Sequence, residues 1–319
     1  MKRILVTGGG GFIGSHLAKW LHSQGHFVRI ADIKFDDYIE GEYCTERLKL
    51  DLREPENCLK AAEGIDLVYN LAANMGGIGF ITSVSADVMH DNVLINTHML
   101  EASVKNKVKK FLFSSSACIY PNYKQVTPDV KGLTEEDAYP ADPNEAYGWE
   151  KLFTEEMIKA YQEDYNLDIR ITRYHNIYGP EGTYKGGKEK APAALCRKVA
   201  EASDPGTISI WGDGKATRSY CFIDDCVRGT VALMESDYAK PINIGSDRLV
   251  SVDELADIII GISGKNIAKT YDPSGPEGVR GRNADLTLVK RVLGWENRVS
   301  LEEGLGKTYR WINMMVERD

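Results

Sequence analysis

Apolar residues follow two rhythms through the first half of the chain. Short unbroken runs at 3–7, 27–31, 48–50, 67–70 and 110–113 alternate with stretches, such as 13–23 and 84–104, where apolar residues recur at helical spacing. The short runs read as strands buried on both faces, the longer stretches as helices. Strand–helix alternation of this kind predicts an α/β fold, a doubly wound parallel sheet joined by right-handed crossovers.

Beyond about residue 172 the rhythm changes. Glycine and proline punctuate 178–192 and 272–282, which read as long loops of the kind that bind ligands or close over them. Helical patterns at 193–202, 224–235, 252–260 and 301–316 lie between and after them. The expected organisation is a dinucleotide-binding domain over 1–172, to which the chain returns around 213–246. A smaller, mostly helical substrate-binding lobe over 173–319 is interleaved with it.

Composition narrows the partners. At 319 residues, 43% apolar and 27% charged, the chain is an ordinary globular enzyme in make-up, long enough for a sizeable core. A net charge of -8 argues against nucleic acid and anionic membrane as partners. No apolar run approaches the length of a membrane span, and the N-terminus enters a glycine loop too early for the core of a signal peptide. Six cysteines, at 44, 58, 118, 196, 221 and 226, form no C-x-x-C pair and lie beside no histidine cluster. They read as reduced thiols in the cytosol, with no metal site.

The glycines after the first strand carry the first chemistry. Gly8, Gly11 and Gly14 form G-x-x-G-x-x-G at a strand–helix junction, with Phe12 and Ile13 opening the helix. That is a Rossmann dinucleotide fingerprint: absent side chains let the backbone approach a pyrophosphate, which rests on the positive helix end. Asp32, after the second strand, stands where a carboxylate bonds the adenosine ribose hydroxyls and repels a 2'-phosphate, so the cofactor reads as NAD. Asp51 and Leu52 follow the third strand toward the adenine, and Leu71, Ala72 and Ala73 follow the fourth along the pyrophosphate. Both stretches also fit ordinary strand-end packing.

Tyr147 and Lys151 supply the second. Their i, i+4 spacing puts them on one helix face. A free tyrosine, with a pKa of about 10, is a poor base at neutral pH, and a nearby ammonium together with a nicotinium ring favours its phenolate. Ser114, Ser115 and Ser116 end the fifth strand, where a hydroxyl can hold a substrate oxygen. With these residues on the page, the chain resembles the extended short-chain dehydrogenases/reductases that modify nucleotide sugars, whose catalytic set matches at Ser116, Tyr147 and Lys151.

Further stretches sharpen the resemblance to NAD-dependent epimerases of that family. They are Ala72 to Ile81, Ser115 to Pro121, Lys185 to Ala194 and Gly275 to Asn283. The resemblance implies a GDP-sugar substrate: GDP-mannose oxidised at C4, inverted at C3 and C5 through a 4-keto intermediate, and re-reduced to GDP-L-galactose. It also implies Cys118 as base and Lys190 as acid, and a homodimer, expected to pair helices at 84–104 and 145–165 into a four-helix bundle. The implied substrate wall comprises Met75, Gly76, Ser116, Ala117, Cys118, Asn176, Glu189, Lys190, Lys198, Arg218 and Arg280, with Arg218 on the diphosphate. Arg280 and Arg282 can add bidentate phosphate contacts or be ordinary surface salt-bridge partners, and for Arg282 the two readings are equal. His175 takes no role.

Chemistry gives Cys118 and Lys190 a reason to be there. A ketone at C4 acidifies the hydrogens at C3 and C5, and inversion needs one group to remove a proton and another to deliver one from the opposite face. A thiol, with a pKa of about 8.5, becomes a usable base when a cation stands beside it. A 4-epimerase would need neither residue. A dehydratase would carry acidic residues where Ala117 and Cys118 stand. A dinucleotide sensor would need none of the catalytic set.

Overall fold

A computed structural model describes residues 1–319 except Asp36, Asp37, Tyr38, Glu40, Pro276, Glu277 and Asp319. The chain runs β1 (Arg3–Thr7), α1 (Phe12–Ser23), β2 (Phe27–Asp32), β3 (Glu46–Lys49), α2 (Pro55–Ala62) and β4 (Leu67–Asn70). Then come α3 (Ile78–Ser83), α4 (Ser85–Lys105), β5 (Lys110–Ser116), α5 (Ala146–Tyr165) and β6 (Asp168–Tyr174). The second half continues with β7 (Ile177–Tyr178), α6 (Ala191–Glu201), β8 (Gly206–Trp211), β9 (Thr217–Ser219), β10 (Cys221–Phe222) and α7 (Ile223–Glu235). It ends with β11 (Pro241–Ile244), β12 (Leu249–Ser251), α8 (Val252–Ser263), β13 (Ile267–Asp272), β14 (Gly281–Arg282), α9 (Thr287–Leu293) and α10 (Leu301–Arg318).

Seven strands form one parallel sheet in the order β11-β6-β5-β4-β1-β2-β3. Helices cover both faces, which is why the inner strands are apolar throughout: β4 is buried at every position and β1 at all but Arg3. Two cores result. One gathers Val6, Leu17, Leu21 and Ile30 with α7 and the C-terminal helices. The other packs Leu5, Val68, Phe111 and Ile169 beneath α2, α4 and α5. Chain order reverses between β1 and β4, the point of a doubly wound sheet where ligands bind beyond the strands' carboxyl ends.

A buried ion pair sits inside this half. Glu155, fully buried, meets Arg173 through two hydrogen bonds, Arg173 Nη2 to Oε2 at 2.7 Å and Nε to Oε1 at 3.0 Å. Arg173→Met leaves that carboxylate without its cation, so the urea midpoint should fall by the equivalent of about 3–5 kcal/mol. A drop under about 1 kcal/mol would mean that water reaches Glu155.

The second half departs from the sequence expectation in one respect. Besides α6, α8 and α10 it contains three small sheets the apolar rhythm does not announce: parallel β7–β10, parallel β8–β13, and β12–β9–β14. In β8 only Ile208 and Ile210 are buried, so its apolar signal is too thin to stand out. β14 lies inside the stretch expected to be loop throughout. Strand β11, from the same half of the chain, completes the large sheet beside β6.

Candidate active site

The glycine loop is built for close approach. Gly8 has φ +68°, and a Cβ there would meet the Ala72 backbone nitrogen at 2.9 Å. A Cβ on Gly14 would lie 2.1 Å from the Gly8 carbonyl oxygen. Gly11 caps α1 with no side-chain bond, so first-turn amides remain for a ligand. Phe12, Ile13, Asp32, Asp51, Leu52, Leu71 and Ala73 line, with these glycines, a cavity of about 450 Å³. Asp32 accepts the Gly10 amide at 3.0 Å, and burial raises its carboxyl above the usual range despite that bond. Arg53 engages Asp51 and also reaches Asp91 on α4. Gly14→Ala should therefore cut the NAD retained by purified protein roughly tenfold or more, read as nucleotide released on denaturation. Full retention would show that the loop can open without losing its ligand.

A second cavity, of about 330 Å³, adjoins the first, and Met75, Gly76, Ser116, Tyr147, Asn176 and Lys190 are in both walls. Ser116 ends β5, and its hydroxyl accepts the Cys118 amide at 3.2 Å, which turns the chain so that Ala117 and Cys118 also face this cavity. Tyr147 stands in the first turn of α5, with Ser116 near enough to favour its phenolate. Lys151, one turn on and 1% exposed, bonds the Ser114 carbonyl at 3.0 Å, with Nζ 5.6 Å from the Tyr147 ring. Behind it, fully buried Glu150 accepts Asn96 at 2.8 Å and Asn92 at 3.2 Å, and the Asn92 side chain in turn holds both backbone groups of Asn74, just before Met75.

Burial dominates the electrostatics at Tyr147. Burial, followed by the charges of Cys118 and Glu150, pushes Tyr147 well above the ordinary phenol value, and only Ser116 opposes this. Lys151 does not reverse it, because its ammonium is spent on the Ser114 carbonyl and is itself pulled below the ordinary lysine range, chiefly by burial. Cys118 moves the other way. Burial raises its thiol, but the Arg282 guanidinium, the Ser116 hydroxyl and Lys190 together outweigh burial and bring it below its usual value. Lys190 caps α6 and opens toward the cleft, yet protein surrounds its ammonium and lowers it, against the attraction of Cys118.

The expected substrate residues are largely brought together. Met75, Gly76, Ala117, Asn176, Glu189, Lys198 and Arg218 all line the second cavity. Asn176, held at φ +43°, donates to the Ser219 carbonyl at 2.9 Å. Burial, then neighbouring Arg282, lowers Arg218 to about 10. Arg280 is the exception: it is in neither described wall, its guanidinium bonding both Asp213 oxygens at 3.0 and 3.1 Å. Arg282, for which the sequence left phosphate contact and surface salt bridge equally open, points Nη1 at Cys118 Sγ, 3.3 Å away. A separation of 164 residues hid that contact from any local pattern. Buried His175 meets Asn243, far below its usual pKa because burial disfavours the imidazolium.

Fold and cavities together define a protein that holds a dinucleotide against a second, polar ligand at the switch point of a Rossmann sheet. The chain belongs to the NAD-dependent epimerase/dehydratase family, whose model matches residues 4–245, and its cofactor is NAD. It is 50% identical over 318 residues to GDP-mannose 3,5-epimerase 1 of Oryza sativa subsp. japonica, spanning 99% of this chain and 83% of that protein. It is 49% identical to GDP-mannose 3,5-epimerase of Arabidopsis thaliana, over 99% of this chain and 84% of that one. Among solved structures, UDP-glucose 4-epimerase of Thermotoga maritima, with UDP-glucose, superposes with a TM-score of 0.89 at 29% identity, covering 98% of this chain and 99% of that one.

Proposed function

We propose that the protein is an NAD-dependent isomerase that converts GDP-mannose to GDP-L-galactose by inverting C3 and C5. One observation carries the reading: Cys118, with a lowered thiol, and Lys190, a desolvated ammonium, line the same cavity as Ser116 and Tyr147. Redox at C4 alone has no use for either.

NAD, held by Gly8, Gly11, Gly14 and Asp32, would supply the acceptor for the hydride of sugar C4 and its return after the inversions. The protein's own groups do the rest. Ser116 holds the C4 oxygen, and Tyr147 takes its proton. Tyr147 is a phenol in this environment, so it acts as base only while the nicotinium charge is beside it. With C4 a ketone, the Cys118 thiolate removes the proton at C5 or C3, and the Lys190 ammonium delivers one to the other face. Tyr147 then gives its proton back. Arg218 neutralises the diphosphate, while Met75, Gly76, Asn176, Glu189 and Lys198 enclose the sugar nucleotide. On this reading residues 1–172, together with the returning stretch that contains β11, serve the cofactor, and the remainder of 173–319 serves the substrate.

Proton NMR of purified protein with GDP-mannose in deuterated water, without added NAD, tests the reading. Deuterium at C3 and C5 with new L-sugar signals is the expected result. A product changed at C4 alone and free of deuterium would make the protein a 4-epimerase. No exchange with NAD confirmed in the protein would overturn the substrate.

The same reading takes the protein as a homodimer in the cytosol. Met89 on α4 and Trp149 and Phe153 on α5 are 37%, 45% and 54% exposed, and these two helices pack against each other, which supports a shared apolar seam. Phe153→Glu should halve the mass seen by light scattering; an unchanged dimer would move the seam elsewhere. The six cysteines are free thiols, which fits a reducing compartment, and no described helix is long and apolar enough to cross a membrane.

A further inference from the structure

Arg282 does not find Cys118 by itself. Its Nε donates to Gln125 Oε1 at 2.6 Å, while its Nη1 reaches Cys118 Sγ at 3.3 Å. Gln125 is wholly buried, lines neither cavity and touches no reacting group. Its amide has one consistent orientation. Nε2 donates to the carbonyls of Tyr120 at 3.0 Å and Pro121 at 3.2 Å, so Oε1 must face the guanidinium. A flipped amide would set an oxygen against two carbonyls and an NH2 against a cation. The Gln125 carbonyl also accepts the amides of Arg280 and Gly281, at 2.9 and 3.2 Å, fixing the backbone that carries Arg282. Side chain and main chain of one residue thus pin both ends of the cation.

We propose that Gln125 is a positioning residue that aims the Arg282 guanidinium at Cys118 Sγ, so that the cation is on the base before substrate arrives. This rests on the reading of Cys118 as the base for sugar epimerisation. A flexible arginine in the cleft would be drawn to the substrate's diphosphate, as Arg218 is on that reading. Two hydrogen bonds and a backbone clamp keep Arg282 at the thiol instead. The other groups around the thiol are Lys190, Lys151, Arg218 and Tyr147, while Glu145 faces Arg282 and opposes it. Of the cations, Arg282 is the one in hydrogen-bond contact with sulfur. Without its anchor the thiolate would depend on Lys190, which must be a proton donor in the same reaction.

The test is the pH dependence of Cys118 alkylation by iodoacetamide in NAD-bound protein, followed by mass spectrometry of the Cys118 peptide. Gln125→Met fills the volume but accepts no hydrogen bond from Arg282. Gln125→Glu keeps an acceptor for Arg282 but loses the two bonds donated to Tyr120 and Pro121 and, when ionised, offsets the guanidinium charge. In both, the alkylation midpoint should rise by about one pH unit or more, and Arg282→Met should raise it at least as far. NAD content and thermal midpoint control for folding, and either Gln125 variant suffices if the other is unstable. A purely structural glutamine would lower the thermal midpoint and leave the thiol titration where it was. An unmoved alkylation midpoint in a folded Gln125 variant overturns the proposal, whatever happens to turnover. Because this titration needs no sugar nucleotide, failure of the epimerase reading would show separately, as wild-type protein that alkylates as expected yet exchanges no sugar proton.

Discussion

Cys118→Ala is expected to abolish deuterium exchange at sugar C3 and C5, a loss of roughly 10²–10⁴ in rate, while bound NAD stays unchanged. Cys118 is in the wall of the substrate cavity but not among the residues of the dinucleotide cavity, so its loss should spare the cofactor. C4 oxidation requires Ser116 and Tyr147, both untouched, so reduced-dinucleotide absorbance should still develop when GDP-mannose is added. Wild-type turnover should also depend on pH in a defined direction. Arg282, Ser116 and Lys190 overcome burial and set the thiol below its ordinary value, so the acid limb, where thiolate is lost as pH falls, should lie below the usual thiol range. Burial lowers Lys190, so the alkaline limb, where the ammonium is lost as pH rises, should lie below the usual lysine range. In Cys118→Ser the acid limb should vanish along with the rate, because a hydroxyl does not titrate in this window. Exchange at near wild-type rate in Cys118→Ala would take the base role from this residue.

The cofactor half of the protein was legible in sequence because its signals are local. β1, the glycine loop and α1 occupy residues 3–23 without interruption, and the strands of an enclosed parallel sheet are apolar enough to stand out singly. Edge strand β3 was harder. Its sequence Glu-Arg-Leu-Lys is half exposed, and the apolar pattern shifts its apparent position to 48–50. The small sheets of the second half failed to announce themselves because β8 buries only alternate residues and β14 is two residues long. Site residues divide along the same line. Ser116 and Cys118 share one strand end, and Tyr147 and Lys151 share one helix turn; the family resemblance joins the two pairs across about thirty residues. Arg282 and Gln125 are 157 residues apart, and nothing in a single sequence tells a guanidinium that will meet sulfur from one that will meet phosphate. The surroundings of Tyr147 were beyond the reach of spacing for a related reason. Spacing puts Lys151 on its helix face, but the tertiary fold offers Lys151 the Ser114 carbonyl and leaves the phenol to burial.

Tyr147→Phe should stop the redox step and the inversions together. Tyr147 stands beside Ser116 at the junction of the two cavities, and no other phenol is common to both walls except Tyr174, whose hydroxyl is paired with Thr230. Removing one oxygen costs at most one hydrogen bond, about 0.5–1.5 kcal/mol of stability, so the variant should fold and keep its NAD. Turnover should fall by roughly 10²–10⁴. The diagnostic is what accompanies the loss. In Tyr147→Phe no reduced-dinucleotide absorbance should appear with GDP-mannose, and no deuterium should enter C3 or C5, because without the C4 ketone those hydrogens are not acidic. In Cys118→Ala absorbance should appear and deuterium should not. Deuterium entering the sugar in Tyr147→Phe would mean that the ketone forms without this phenol, and the proton acceptor at C4 would have to be sought among the other groups both cavities share, with Lys190 the first to test.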